Sequence, residues 1–324
     1  MATDFSAGNG RIVALRGGAL GDFVVTVPAL RALRAYGGGA PFELWCREGV
    51  AGLAQAAGLA DRVVSLDGPA GAALFAVGGG AAPPLRDVRL AVSFLHDPDG
   101  VVARNLRQAG AGQVLAASPA VTACHATEHF LRALGPLGLA NAPSEPSLAL
   151  AESVRAAGRE QARMFGGACV ALHPGSGSVG KNWPLLRFLE LAMALRETWV
   201  PVFVLGEAEE AGGLAEHVAA AGFRSLRGRT VPEVAGFLAA CCGYVGNDSG
   251  VSHLAAALGV PVVAVFGPTD PALWAPRGPN VTVLQAEGRV GGDLAALGVA
   301  DVARTARAWA GPRGMGFQPV PPGG

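Results

Sequence analysis

The chain has 324 residues, 25 basic and 25 acidic side chains, and an apolar fraction of 51%. This length allows one large domain or two medium ones, and zero net charge argues against a nucleic-acid binder. Neither a basic-then-apolar leader nor an apolar run of about 20 residues is present, so we expect a cytoplasmic protein. The five cysteines lack a CxxC spacing and are predicted to be reduced packing residues.

The first 150 residues alternate short apolar runs with stretches of helical periodicity. The predicted helices cover residues 23–36 and 50–58. Predicted strands are rich in β-branched and apolar residues and lie at 11–15, 42–46, 62–66, 89–95 and 113–117. This alternation is typical of a parallel sheet covered by helices, and it predicts a first Rossmann-like domain over residues 1–150.

A second series follows the Pro- and Ser-rich segment 141–147. A polar helix is predicted at 152–165, and further strands and helices alternate from Cys169 onward. The predicted strands start at residues 169, 201, 243 and 261; the predicted helices cover 184–197, 208–221, 231–240 and 251–258. We therefore expect a second Rossmann-like domain over 151–310. The last helical stretch, 293–310, has to pack on this body, with the N-terminal domain as one candidate. The Gly/Pro-rich tail 311–324 is predicted to be disordered.

The first strand leads into the Gly-rich turn GGALGD, which ends at Asp22. Gly18 and Gly21 allow the backbone to approach a ligand closely. Asp22 falls at the start of the following helix, where the helix dipole favours an ionised carboxylate. Such a carboxylate can act as a general base or simply cap the helix, and local spacing does not separate the two. The turn matches neither GxGxxG nor GxxxxGK[ST].

A second loop, HPGSGSVGKNWP at 173–184, follows a predicted strand and precedes a helix. Ser176, Gly177 and Lys181 supply a hydroxyl, open backbone and a cation, which together suit phosphate oxygens. Lys181 is the only lysine in the sequence, all other basic side chains being arginine. A compact ammonium differs chemically from a guanidinium, which favours a specific role. The alternative is a surface lysine without function.

A third loop, GNDSGVSH at 246–253, also joins a predicted strand to a helix. Ser249 and the backbone of Gly250 lie at the helix N-terminus, which is a ready anion site. His253 lies in the first turn and is either a phosphate neighbour or a packed core residue. After another predicted strand, Glu209 or Glu210 could accept hydrogen bonds from ribose hydroxyls, with Glu209 favoured; an ordinary acidic helix start explains them equally well.

Three segments taken together resemble glycosyltransferase family 9, the ADP-heptose:lipopolysaccharide heptosyltransferases. RIVALRGGALGDFVVTVPALRAL is similar to the family's RxGxxGD segment, and VALHPGSGSVGKNWPLLRFLELA to its HPGS…K.WP segment. VGNDSGVSHLAAALGVPVVAVFGPTDPALWAP is similar to its third segment. The segments occur in the family's order. Gly17 and Asn182 depart from the residues usual at their positions.

The resemblance implies an α/β GT-B fold, with two facing Rossmann-like domains and an active-site cleft between them. It implies inverting, metal-independent transfer of a sugar, heptose from ADP-heptose, to a lipopolysaccharide-core or other cell-surface glycan. The nucleotide sugar is a co-substrate, and no cofactor or metal ligand is expected. By the same resemblance Asp22 is the base, Lys181, Ser249 and Gly250 bind the diphosphate, Asp248 lies near the donor sugar, and His253 lies beside the phosphates.

The acceptor and two rival functions stay open. Residues 86–146 carry no recognisable acceptor signature, so the partner is a glycan or a glycolipid, the latter with peripheral contact at the inner membrane surface. We interpret Asp97-Pro98-Asp99 as a turn and not as a metal-binding DxD pair. A nicotinamide-dependent oxidoreductase would require GxGxxG after the first strand. An inactive nucleotide-sugar-binding module would be expected to lose Asp22 or Lys181, and both are present.

Overall fold

The computed structural model describes residues 10–77 and 85–310. The chain divides into two compact units after Pro146, close to the boundary predicted near residue 150. The tail 311–324, predicted to be disordered, lies outside the described residues. In the described part of the chain, no helix is both long enough and apolar enough to cross a membrane.

The N-terminal unit is built on a parallel sheet, with five strands among its described residues. The strands are β1 (Arg11–Arg16), β2 (Phe42–Cys46), β3 (Arg62–Ser65), β4 (Val88–Ser93) and β5 (Gln113–Ala116), in the spatial order β3-β2-β1-β4-β5. The helices are α1 (Leu20–Tyr36), α2 (Glu48–Ala56), α3 (Pro69–Leu74), α4 (Val101–Gln108) and α5 (Ala126–Arg132). Central β1 buries Ile12 to Leu15 almost completely, as expected of a strand covered on both faces.

The sequence did not predict α4, which lies between β4 and β5. Both carboxylate oxygens of Asp97 accept hydrogen bonds at its start, from the backbone N–H groups of Val102 (3.0 Å) and Ala103 (2.9 Å). The interpretation of Asp97-Pro98-Asp99 as a turn is therefore correct, and the turn in addition caps a helix. The helix is amphipathic, with Val102, Ala103 and Leu106 buried, but it has only eight residues, and the sequence analysis predicted a loop for this segment.

The C-terminal unit contains a second parallel sheet, with six strands among its described residues. The strands are β6 (Cys169–His173), β7 (Val200–Val204), β8 (Arg224–Leu226), β9 (Gly243–Asn247), β10 (Val262–Phe266) and β11 (Val281–Gln285), in the order β11-β10-β9-β6-β7-β8. The helices are α6 (Glu152–Met164), α7 (Leu185–Leu195), α8 (Glu207–Ala211), α9 (Leu214–Ala220), α10 (Val231–Ala239), α11 (Gly250–Ala257), α12 (Pro271–Trp274) and α13 (Val299–Arg307). Strands β8 and β11 and helix α12 were not predicted.

One helix prediction for this unit is wrong. The helix predicted over 208–221 is two helices, α8 and α9, because Gly213 adopts a left-handed conformation (φ 74°) between them. Helix α13 packs against α7 of its own unit. Val302 and Ala306 are fully buried in the core of the C-terminal unit, so apolar packing fixes this position.

The cysteines lie in the described part of the chain and form no disulfide there. Burial raises the pKa of the Cys46 thiol to about 12 and that of Cys169 to about 11. Thiols with such values are poor nucleophiles near neutral pH. They serve the structure as small buried apolar groups.

Candidate functional site

In the N-terminal unit, the turn between β1 and α1 folds back on the Asp22 side chain. Gly18 has a φ of 89°, and a Cβ placed on it would lie 2.7 Å from both Cβ and Oδ2 of Asp22. Only glycine tolerates that backbone and that approach without strain. Gly21 lies beside Asp22 in the first turn of α1. The turn therefore presents the carboxylate at the carboxyl end of the central strand, where such sheets bind ligands.

Both carboxylate oxygens of Asp22 are held in place. Oδ2 accepts the backbone N–H of Ala19 (3.0 Å), and Oδ1 lies 3.3 Å from Nη2 of Arg16. The Asp22 side chain is nevertheless 40% exposed, so a ligand can reach part of it. Asp22 thus makes a helix-start bond and presents an open carboxylate, and its role as a base stays a prediction.

In the C-terminal unit, the structure brings Lys181 and Asp248 together across 67 residues of chain. Nζ of Lys181 lies 2.7 Å from Oδ2 of Asp248. The Asp248 side chain is 8% exposed and that of Lys181 is 33% exposed. A buried carboxylate therefore anchors the ammonium, while part of the lysine stays open to solvent and to a ligand.

The loop that carries Lys181 is closed by Asn247, which the sequence analysis did not single out. Asn247 ends β9 and is fully buried. Its Oδ1 accepts the backbone N–H of Trp183 (2.9 Å), and its Nδ2 donates to the carbonyl of Pro174 (2.8 Å). One amide therefore bridges the two ends of the loop, at Pro174 and Trp183. Its position directly before Asp248 was the only sequence signal for it.

Beneath the third loop lies a buried network of hydroxyl groups. Ser249 is the N-cap of α11, and its Oγ accepts the backbone N–H of Ser252 (3.4 Å). Oγ of Ser252 donates to the Asn247 carbonyl (2.5 Å) and lies 3.0 Å from the hydroxyl of Tyr244. The network fixes the N-terminus of α11, where Gly250 is the first helical residue. His253 is buried in this helix, with 6% of its surface exposed.

Of the two candidate carboxylates after β7, Glu209 is the one next to the predicted phosphate loop. Its Oε2 accepts the backbone N–H of Gly206 (2.8 Å). A Cβ placed on Gly175 would lie 1.9 Å from its Oε1, so the carboxylate rests directly on the loop backbone. Glu210 instead accepts the backbone N–H of Gly228 (3.0 Å). The geometry therefore favours Glu209 over Glu210 as a ligand group.

His173, at the end of β6, completes this part of the site. Burial lowers the pKa of its imidazole, against the opposing effects of its bond to the Val204 carbonyl (2.8 Å) and of the Glu209 charge. The neutral ring therefore donates through Nδ1 to that carbonyl. Ser176 is engaged inside its own loop, where its Oγ donates to the Ser178 carbonyl (2.7 Å). A Cβ on Gly177 would meet nothing within 4 Å, so space alone does not require glycine there.

The described residues hold no group of three or more His, Cys, Asp or Glu side chains arranged to bind a metal ion. The charged groups of the C-terminal site are instead the Lys181 ammonium and the carboxylates of Asp248 and Glu209. With the N-terminus of α11, this arrangement can bind an anion such as a diphosphate through one cation and backbone N–H groups.

Three similar solved structures are glycosyltransferases of one kind. Glycosyltransferase family 9 protein from Veillonella parvula superimposes with a TM-score of 0.77 at 18% identity, covering 94% of this chain and 98% of that one. E. coli ADP-heptose LPS heptosyltransferase II superimposes with a TM-score of 0.75 at 20% identity, covering 92% of this chain and 98% of that one. E. coli heptosyltransferase WaaC with ADP superimposes with a TM-score of 0.70 at 22% identity, covering 93% of this chain and 100% of that one. The fold is that of the GT-B heptosyltransferases.

Sequence comparison then shows the family. The profile of glycosyltransferase family 9 (heptosyltransferase) matches residues 110–291, more than half of the chain, which therefore belongs to this family. Lipopolysaccharide heptosyltransferase 2 of Salmonella typhimurium is 38% identical over 112 residues, 32% of each chain. Lipopolysaccharide heptosyltransferase 1 of Pseudomonas aeruginosa is 40% identical over 109 residues, 32% of this chain and 29% of the relative. The matching segments span about a third of these curated relatives.

Proposed function

We propose that this protein transfers a sugar, heptose from ADP-heptose, to a hydroxyl of a lipopolysaccharide-core or other cell-surface glycan. The observation that carries the proposal is the Lys181–Asp248 pair next to the N-terminus of α11. It supplies a cation and backbone donors for a diphosphate. Two observations support the donor: the relatives are lipopolysaccharide heptosyltransferases, and E. coli heptosyltransferase WaaC has been solved with ADP and with ADP-2-deoxy-2-fluoro heptose.

The proposed reaction is a single displacement at the anomeric carbon. The acceptor oxygen bonds to that carbon, while the bond from the carbon to the diphosphate oxygen breaks and its electron pair leaves with ADP. Asp22 takes the proton of the acceptor hydroxyl as general base. One displacement inverts the configuration at the anomeric carbon.

In this proposal the leaving diphosphate needs no divalent metal. The Lys181 ammonium and the N–H groups at the start of α11 stabilise the charge that develops on ADP, as preorganised donors do in other transfer reactions. Ser249 and Gly250 lie at that helix start and bind the diphosphate. Asp248 lies near the donor sugar, and the Glu209 carboxylate accepts hydrogen bonds from the ribose hydroxyls. If a chelator abolishes turnover and magnesium or manganese restores it, this part of the proposal is contradicted.

The first experiment is a thermal-shift comparison of ADP, ADP-heptose and NAD at equal concentrations. A ligand that binds only the native state stabilises it by about 2.7 kcal/mol at one hundred times its Kd. We expect ADP and ADP-heptose to raise Tm more than NAD does. A larger shift with NAD favours an oxidoreductase.

The second experiment is a transfer assay with ADP-heptose and a panel of lipopolysaccharide-core and other glycan acceptors. We expect a heptosylated product with inverted anomeric configuration, detected by mass spectrometry and NMR. Stabilisation by ADP-heptose without transfer to any acceptor leaves a nucleotide-sugar-binding module as the better description.

A further inference from the structure

Arg16, the last residue of β1, places a charged group inside the N-terminal unit. It is 4% exposed, and its guanidinium carbon lies 4.6 Å from the centre of the Phe130 ring. Nη1 donates to the carbonyl of Phe94 (3.3 Å), just beyond β4. Arg16 therefore lies at the carboxyl ends of two neighbouring strands and under the turn that carries Asp22.

The remaining nitrogens of Arg16 are directed to a single residue. Nε donates to the backbone carbonyl of Asp22 (3.1 Å), and Nη2 donates to its Oδ1 (3.3 Å). The planar guanidinium fork thus fixes the main chain and the side chain of Asp22 together. The backbone N–H of Ala19 holds the other carboxylate oxygen. The two contacts together define the orientation of the carboxylate plane.

Burying this cation has a cost. Burial lowers the pKa of the Arg16 guanidinium, and the Asp22 carboxylate opposes that shift. A well-packed apolar side chain at such a position is often neutral for stability or even stabilising. Asp22, in contrast, is 40% exposed and would stay solvated without its partner. Fold stability alone therefore gives little reason for an arginine here.

We propose that Arg16 is a positioning residue that holds the Asp22 carboxylate in the orientation needed to accept the acceptor hydroxyl proton. The inference rests on the proposed function, in which Asp22 is the base. Arg16 itself is nearly inaccessible and acts through Asp22. Displacing a reacting group by about 1 Å can lower a rate about a hundredfold, so loss of this contact should reduce kcat.

The test uses Arg16→Met and Arg16→Lys in the full chain, with Arg89→Met as matched control. Arg89 also donates to a backbone carbonyl, that of Gly37 (3.2 Å), and faces an aromatic ring, that of Tyr36 (5.8 Å). It lies at the opposite end of the sheet from Arg16, near the start of β4. We expect kcat to fall by about ten- to a hundredfold in Arg16→Met, with KM for the nucleotide sugar within about twofold of wild type. Arg16→Lys should recover part of kcat, because one ammonium cannot make every bond of the guanidinium.

If Arg16→Met has the same kcat as Arg89→Met while Asp22→Asn is inactive, the positioning role is contradicted and the proposed function is left intact. If Arg16→Met does not fold, Arg16→Lys provides the same comparison. Crystal structures of wild type and of the Arg16 variant supply a readout without turnover. We expect the Asp22 carboxylate to leave Ala19 or adopt several rotamers. If the Asp22 carboxylate has the same position in both structures, the positioning role is contradicted, whether or not the wild-type protein transfers sugar. A wild-type protein that transfers no sugar contradicts the proposed function instead.

Discussion

Lys181 and Asp248 form an ion pair of 2.7 Å between a loop after β6 and the loop after β9. The Asp248 side chain is almost fully buried, whereas a third of Lys181 is exposed. We expect Lys181→Met to lower the free energy of unfolding by about 1–3 kcal/mol, because the Asp248 carboxylate loses its partner. Denaturant unfolding of Lys181→Met, Asp248→Asn and the double variant measures the coupling, expected at about 0.5–3 kcal/mol. If the stability losses of Lys181→Met and Asp248→Asn simply add in the double variant, the Lys181–Asp248 ion pair is contradicted.

Asp22→Asn separates the base from the helix-start role. The Asn amide oxygen can still accept the Ala19 N–H, but the amide N–H₂ then faces the Arg16 donors, so we expect a stability loss of about 1 kcal/mol. Turnover should fall by about a hundred- to ten-thousandfold because the amide cannot take the proton. The control is Asp293→Asn, whose carboxylate accepts the Ala295 N–H (2.9 Å) at another helix start. Asp22→Asn that keeps most of its turnover at saturating substrates makes Asp22 a cap only.

Asn247→Asp tests the closure of the phosphate loop. The new carboxylate cannot donate to the Pro174 carbonyl and is buried without a counter-charge of its own, which we expect to cost about 3 kcal/mol. Asn105→Asp is a matched control, because Asn105 is also buried and its Nδ2 donates to the carbonyls of Leu74 and Ala76 (both 2.9 Å).

Both asparagine variants should lose stability, and only Asn247→Asp should lose ADP affinity, by about tenfold or more. Isothermal titration of ADP into the folded variants measures the difference. If the two variants bind ADP with equal affinity, the closure of the loop by Asn247 does not affect nucleotide binding, and the prediction is contradicted.

Gly175→Ala tests the contact between the phosphate loop and Glu209. The added Cβ would lie 1.9 Å from Oε1 of Glu209, so the carboxylate has to move and release the Gly206 N–H. We expect a two- to tenfold loss of ADP affinity, roughly the effect of one hydrogen bond. Gly49→Ala is the control, since a Cβ there meets nothing within 4 Å. Unchanged ADP affinity in Gly175→Ala would show that the position of Glu209 does not matter for the nucleotide.

His173 predicts a pH dependence of stability. Burial lowers the pKa of its imidazole below the ordinary value of 6.5, so the unfolded chain binds this proton at higher pH than the native protein does. The contribution of His173 to the free energy of unfolding is complete above about pH 6.5. Below that pH it declines by up to about 1.4 kcal/mol per pH unit.

His173→Asn should remove that part of the slope, because Asn can donate to Val204 but does not titrate. The control is His217→Asn, since the exposed His217 bonds the Gly213 carbonyl (2.7 Å) in the same way. Urea unfolding at pH 5.5 and pH 7.5 gives the slopes. Identical slopes for wild type and His173→Asn contradict the assignment.

The sequence predicted the central strands and the loops of the site well. Strands such as Ile12 to Leu15 and Val262 to Phe266 are short, β-branched and apolar because both of their faces are buried. Three loops each follow such a strand. The residue types of 173–184 and 246–253 predicted phosphate binding, and GGALGD predicted a base or a helix cap at Asp22. Peripheral elements were missed because they are short: β8 has only three residues, and the amphipathic helix α4 has only eight.

By itself, the sequence determined two parallel α/β units, the family, and the chemical character of the loops, since local apolar patterns and glycines act over a few residues. Only the tertiary structure decided which side chains meet. In the sequence, Arg16 was only the first residue of the RGGALGD stretch that is similar to RxGxxGD, and folding buried it against Asp22 and the Phe94 carbonyl. Asn247 came to bridge the two ends of its loop only when β6 and β9 paired. Such contacts join residues tens of positions apart, and they follow from strand order and burial, which no local pattern encodes.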